Sequence, residues 1–417
     1  MHNLNTAADL DALLADIGDA TVVMLGEASH GTHEYYTWRA ALSKRLIQEK
    51  GFSFIAVEGD WPDCYKINRF VKSYNEAGET AHEVLKNFDR WPTWMWANWE
   101  VAALTDWLHD YNKKETKKVG FYGLDVYSLW DSMQEMVAYL EKKDPKTAQL
   151  AKAAIHCFQP YENDEQHYAR FSLTEHSCRD EVVTLLKEIR ANAQHLDGDP
   201  EAHFDTEQNA LIAVNAERYY RSMMGFDNES WNIRDGHMME TLQRLQQFHG
   251  PNAKAIVWEH NTHIGDARAT PMKNSNTVNI GQLARETWGR EKVYLVGFGS
   301  YKGSVIAGES WGAPMQRMKV PEARKDSVEA LLHNESNQNR YLLFSDATTR
   351  ELFQKPIKHR AIGVVYNPER ERFGNYVLST MPERYNAFVY LDETKALHPF
   401  HLHPEKNKIP ETYPFGV

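Results

Sequence analysis

Short apolar runs rich in Val, Ile, Phe and Tyr punctuate the chain at residues 21–27 (TVVMLGE), 52–59 (FSFIAVEG), 118–127 (KVGFYGLDVY), 253–260 (AKAIVWEH), 292–300 (KVYLVGFGS), 340–345 (RYLLFS), 360–366 (RAIGVVY) and 386–392 (NAFVYLD). Several lack polar-apolar alternation, the pattern of strands covered on both faces. Stretches of helical spacing, such as TWRAALSKRLIQEK at 37–50, separate the early runs. This order predicts β-α-β units and a mostly parallel central sheet flanked by helices. Residues 128–250 read differently: DEVVTLLKEIRANAQ (180–194) and EQNALIAVNAERYYRSMM (207–224) have helical spacing, and no strand signal interrupts them. The expected organisation is an α/β body from 1–127 and 251–417, with an inserted all-helical lobe at 128–250 forming the other wall of a cleft. Internal repeats, low-complexity tracts and long linkers are absent from the sequence.

Composition narrows the function classes. At 417 residues, 42% hydrophobic and 12% aromatic, the chain can fill a substantial core. Its 47 Lys plus Arg against 58 Asp plus Glu give a net charge of −11, and no basic stripe is present to follow a phosphate backbone, so no nucleic-acid partner is expected. The first twenty residues lack a basic region followed by an apolar one, and nowhere do about 18 apolar residues run together. A soluble, cytoplasmic protein without a membrane partner is expected. Cys64, Cys157 and Cys178 are odd in number, widely spaced and form no C-x-x-C pair, which predicts buried or incidental thiols rather than a disulfide or a metal site.

In an open parallel sheet, ligands bind beyond the carboxyl ends of the strands. Those ends carry Glu27 with His30, then Glu58, then Asp125, then Glu259, His260 and His263. One histidine after a strand is ordinarily a cap or a hydrogen-bonded loop residue. Titratable groups at four successive strand ends point to an active site. His30 with His33, and His260 with His263, show H-x-x-H spacing, and with Glu27 or Glu58 they invite a metal reading; the H-E-x-x-H arrangement is missing. GESWG at 308–312 fits a nucleophile expression around Ser310, but Pro314 and Pro321 oppose the helix that a nucleophile elbow requires.

Other features carry less chemistry. Trp91, Trp94, Trp96 and Trp99 in WPTWMWANWE either wall a cleft for a bulky apolar ligand or form a core corner. Arg234 and Asp235 in WNIRDGHMME read first as an ion pair or cap and second as substrate contacts. Arg39, well inside the first helix, needs a carboxylate partner if it faces the sheet.

GEASHGTHEYYTWRAAL, VEGDW, GLDVYSLW and WEHNTHIGD, in this order, resemble the erythromycin esterase family. The resemblance implies an α/β body with a helical lobe and hydrolysis of macrolide lactones, a carboxylic ester, without a metal or other cofactor. It places the general-base histidine on His30, the first-motif glutamate on Glu27, the first-helix arginine on Arg39, the second-strand glutamate on Glu58, and the paired late histidines on His260 and His263. Within the family, the A-S-H-G-T-H turn and the extra His33 are similar to a housekeeping branch, some of whose members are called succinoglycan biosynthesis proteins.

The expected reaction is direct attack by water that His30 deprotonates, with no acyl-enzyme. Glu58 or Glu27 fixes the tautomer or holds the water, and His260, His263 and Arg39 are the candidates to stabilise the oxyanion. Trp94, Trp96, Asp125, His33 and Arg234 are the expected substrate contacts, and a small-molecule ester, a macrolide foremost, is the expected partner. Two rivals remain open: a metallohydrolase using His30, His33, His260 and His263, and a non-catalytic binder of a bulky amphiphile.

Overall fold

The computed structural model describes residues 1–74, 78–161, 165–172, 177–191, 199, 201–223 and 228–400. Its strands are, in chain order, β1 (His2–Asn3), β2 (Val22–Leu25), β3 (Phe54–Asp60), β4 (Gly120–Asp125), β5 (Ala255–Trp258) and β6 (Val293–Ala307). There follow β7 (Gln316–Val320), β8 (Arg340–Leu343), β9 (Ile357–Arg360), β10 (Tyr376–Ser379) and β11 (Ala387–Thr394). The main sheet has the order β1-β8-β11-β6-β2-β5-β3-β4, with β7 extending from β6 and β9-β10 forming a separate pair. Pairing is parallel from β11 through β6, β2, β5 and β3 to β4, and antiparallel where β1, β7 and β8 join.

The missing alternation has a physical cause. Val23, Leu25, Ile55, Val57, Ile256 and Trp258 belong to one apolar cluster, whereas Val22, Met24, Phe54, Ala56, Ala255 and Val257 belong to another. Successive residues of a strand point to opposite faces, so both faces are dry and every position must be apolar. The first cluster includes side chains of α1 (His33–Lys50), α2 (Trp61–Val71) and α3 (Trp99–Asn112). Helix α1 ends where Gly51 adopts φ 68°, a left-handed conformation that glycine accepts without a Cβ penalty.

The described residues between Leu129 and His249 form helices and no strand: α4 (Leu129–Lys143), α5 (Pro145–Phe158), α6 (Glu165–Ser172), α7 (Arg179–Ala191), α8 (Ala202–Ser222) and α9 (Glu229–His249). The ends of the two quoted helical stretches, 192–194 and 224, lie outside the described residues. These helices enclose their own apolar cluster, but α9 also inserts Met238, Leu242 and Leu245 into the core under the sheet. That insertion carries Arg234 to the sheet edge. Two further helices matter to the site: α10 (Asn261–Ile264) and α11 (Ile280–Trp288).

Two expectations need correction. Cys157 and Cys178 form a disulfide, because the chain folds back between α5 and α7 and brings their Cα atoms to 5.8 Å, a proximity that a separation of 21 residues does not reveal. Cys64 alone is a free buried thiol. The run 360–366 is not a continuous strand: β9 stops at Arg360, whose buried guanidinium bonds the carbonyls of Ser300, Tyr301 and Pro321. Beyond it, Ile362 bridges to Ser29 and Val365 to Gly308. No described helix is long and apolar enough to cross a membrane.

Candidate active site

The turn after β2 is held by five bonds to four other segments. Gly26 N–H donates to the Val296 carbonyl (2.8 Å), and the carbonyls of Glu27, Ala28 and Gly31 accept from Asn261, Ile362, and Ile306 with Leu397. A buried turn must satisfy its backbone groups in this way. Gly31 lies so close to β6 that a Cβ there would overlap the Ile306 carbonyl oxygen. The turn therefore presents Glu27 and His30 in one fixed arrangement, both buried.

His30 Nδ1 donates to Glu27 Oε1 at 2.8 Å, and Arg39 Nη2 donates to Glu27 Oε2 at 2.6 Å. With Nδ1 protonated, Nε2 is the basic nitrogen of the neutral ring. Arg39 has no solvent exposure, and its guanidinium lies 4.3 Å from the Tyr36 ring and 4.6 Å from the Trp258 ring. It does not line the cleft described below, so it acts through Glu27 and is not placed to touch an oxyanion.

Arg234 makes a second hub. It grips Asp125 through Nε (2.9 Å) and Nη2 (2.7 Å), reaches Glu58 Oε1 (2.8 Å) and lies 4.8 Å from the Tyr127 ring. Glu58 Oε2 accepts the His260 backbone N–H at 2.8 Å. Burial opposes ionisation of Glu58, but His263, His30 and Arg234 together hold its carboxyl well below the usual range. His263 Nδ1 faces both Asp235 oxygens at 3.0 Å, and its Nε2 accepts from Arg234 Nη1 at 3.1 Å. Its ring stacks on Trp231 at 4.7 Å.

His260 and Glu259 are both buried in their neutral forms. The His260 Nδ1 accepts the Thr262 backbone N–H (3.2 Å), so Nε2 carries the hydrogen and has no bonding partner among the described residues. Burial and the neighbouring His30, 4.9 Å away between ring centroids, push the His260 pKa well down. Among the described residues both Glu259 oxygens lack partners, and burial with the nearby Glu58 and Asp235 raises its carboxyl well above the usual range.

A cleft of about 70 Å³ opens onto His30, Glu58, Asp125 and Arg234. Phe88, Trp91, Trp96 and Trp311 give it an aromatic part, and Asp60, Asp63 and Arg90 a charged one. Burial pushes the Asp63 carboxyl up to about 6. Trp91 lines the cleft, the first of the two alternatives its segment offered, whereas Asp60, Asp63, Arg90 and Trp311 were not expected in the site. Their signal was present in part, since Asp60 lies in VEGDW and Trp311 in GESWG.

The remaining expected residues divide. Trp96 lines the cleft and donates its indole N–H to the Glu58 carbonyl at 3.2 Å, whereas Trp94 is fully buried behind it, edge-on to Trp91 at 5.4 Å. His33 heads α1 and bonds Glu100 instead, so a metal set of His30, His33, His260 and His263 is not assembled. Ser310 is exposed in a loop after β6 with no helix following, and forms no elbow.

The erythromycin esterase family profile matches residues 47–394. The chain belongs to the erythromycin esterase family. It is 22% identical over 407 residues to YbfO of Bacillus subtilis (strain 168), covering 92% of this chain and 86% of that one. It is 23% identical over 376 residues to the Escherichia coli erythromycin esterase type II, covering 81% and 83%. Among solved structures, a succinoglycan biosynthesis protein superposes with a TM-score of 0.78 at 20% identity, covering 95% of each chain. An erythromycin esterase mutant in its open conformation gives 0.68 at 16%, covering 94% of this chain and 95% of that one. The fold is thus the erythromycin esterase fold, and the protein is a hydrolase.

Proposed function

We propose that this member of the family hydrolyses a carboxylic ester, with the lactone of a macrolide as the leading substrate, by direct attack of water. The observation that carries the reading is the Arg39–Glu27–His30 relay ending at a cleft that also holds Glu58 and Arg234. His30 Nε2 takes a proton from water as the oxygen attacks the carbonyl carbon. The resulting tetrahedral oxyanion collapses, the C–O bond to the alcohol breaks, and the alkoxide recovers the proton from the imidazolium. Glu27 stabilises the transient imidazolium. Arg234, which lines the cleft, stabilises the developing oxyanion, and the His260 N–H, without a partner among the described residues and on a buried ring 4.9 Å from that of His30, is the second donor should the substrate reach it. Asp125 and Glu58 fix the Arg234 side chain, which the helical lobe contributes as the opposite wall.

The cleft volume favours a second substrate reading. About 70 Å³ is well below the roughly 300–1,000 Å³ that encloses a drug-sized ligand. A smaller ester fits the cleft as it stands, whereas a macrolide ring must remain outside it or displace a wall. Incubation of wild type and His30→Ala with 14- and 16-membered macrolides and simple aryl esters, read by mass spectrometry, separates these cases. A macrolide gaining one water with wild type alone supports lactone opening. Aryl ester cleavage alone keeps the chemistry and discards the macrolide, and no product with any ester overturns the reading.

A further inference from the structure

Away from the cleft, His33 at the start of α1, Glu100 in the first turn of α3 and His398 near the end of the described chain converge. His33 Nδ1 lies 2.5 Å and His398 Nδ1 2.6 Å from the same carboxylate oxygen, Glu100 Oε1, and the two rings meet edge-on at 5.2 Å. No two of the three ligand atoms are more than 4.8 Å apart. We propose that His33, Glu100 and His398 form a binding site for one divalent transition cation, zinc in the first instance.

The donor set suits that ion. Two imidazoles and a carboxylate are a known zinc combination, and tetrahedral coordination at about 2.1 Å separates ligand atoms by about 3.4 Å, which small side-chain rotations reach here. The Glu100 side chain is only 4% exposed, whereas those of His33 and His398 are 31% and 60% exposed. The carboxylate is therefore anchored, and the remaining coordination positions face water, which also gives the ion an entry path. The backbone is set independently of any ion: His33 N–H donates to the Lys395 carbonyl (2.8 Å), Trp99 N–H to the His398 carbonyl (3.1 Å), and Phe400 N–H to the Ala97 carbonyl (2.9 Å).

The site has a mechanical consequence. The segment 395–400 runs between the turn that carries His30, through the Leu397 N–H to Gly31 bond, and the Ala97–Trp99 stretch beside Trp96. A cation there clasps the segment 395–400 across both. His33 and His398 lie outside the family-matched residues 47–394, and Glu100 lies within them.

The full chain, stripped with a chelator and dialysed, should take up one zinc per molecule in competition with a chromophoric chelator, and zinc should raise its melting temperature. His33→Ala and His398→Ala should each weaken binding roughly tenfold or more and abolish the thermal shift. His30→Ala should bind as wild type does. Far-UV circular dichroism of each apo variant checks that it is folded. Failure of wild type to retain zinc, or wild-type affinity in both His33→Ala and His398→Ala, overturns the proposal. Because the readout is zinc and not turnover, neither result depends on the ester reading.

Discussion

Arg39 and His30 hold opposite oxygens of one buried carboxylate, Glu27, at 2.6 and 2.8 Å. The guanidinium does not reach the cleft, yet it balances the charge that orients the imidazole. Arg39→Ala leaves Glu27 as an uncompensated buried anion and should cost about 3–5 kcal/mol of stability in denaturant titration. In folded Arg39→Lys, kcat should fall while KM stays close to wild type, because the lesion acts through Glu27 and not on substrate.

His30→Ala should lower kcat by about 10²–10⁴-fold while far-UV circular dichroism remains that of wild type. Retention of most of the rate would move the general base elsewhere.

Arg234 serves Asp125, Glu58 and His263 simultaneously, a geometry that a planar fork can satisfy and a lysine ammonium cannot. Arg234→Lys should therefore cost about 10²-fold or more in kcat despite conserving charge. Steady-state kinetics on whichever ester is cleaved measures this.

Glu259 has a folded pKa well above 4.5, so between those values the unfolded chain has released a proton that the folded chain still holds. Stability from this group is complete below about pH 4.5 and declines as pH rises toward the folded value. Glu259→Gln removes the titration. Its melting temperature should match wild type near pH 4 and exceed it increasingly toward pH 8.

Gly31→Ala forces a Cβ onto the Ile306 carbonyl and should destabilise by about 1–3 kcal/mol. Since the same turn holds His30, activity should fall further than the residual folded fraction explains, as paired melting and rate measurements would show.

Much of the sheet was legible because its chemistry is local. The runs at 21–27, 52–59, 118–127 and 253–260 each yield a strand with a polar residue at its carboxyl end, as a dry two-sided sheet requires. The run at 360–366 misled because its apolar content serves pairing with the His30 turn, a tertiary contact rather than a strand period. Within the site, Glu27, His30, Glu58, Asp125 and Arg234 share one centre, but sequence spacing could not distinguish Trp96 in the wall from Trp94 behind it. Nor could it tell that His33, three residues from His30, turns to Glu100.

By itself, then, the chain's pattern determined the two-faced parallel sheet, the helical stretch inserted between its strands and the strand ends where titratable groups gather, since each follows from periodicity over a few residues. Only the tertiary structure decided the partners: Arg39 with Glu27, Arg234 with Asp125 and Glu58, Cys157 with Cys178, and His33 with Glu100 and His398. Such pairs are separated by 12 to 365 residues along the chain, and their meeting depends on how whole elements pack.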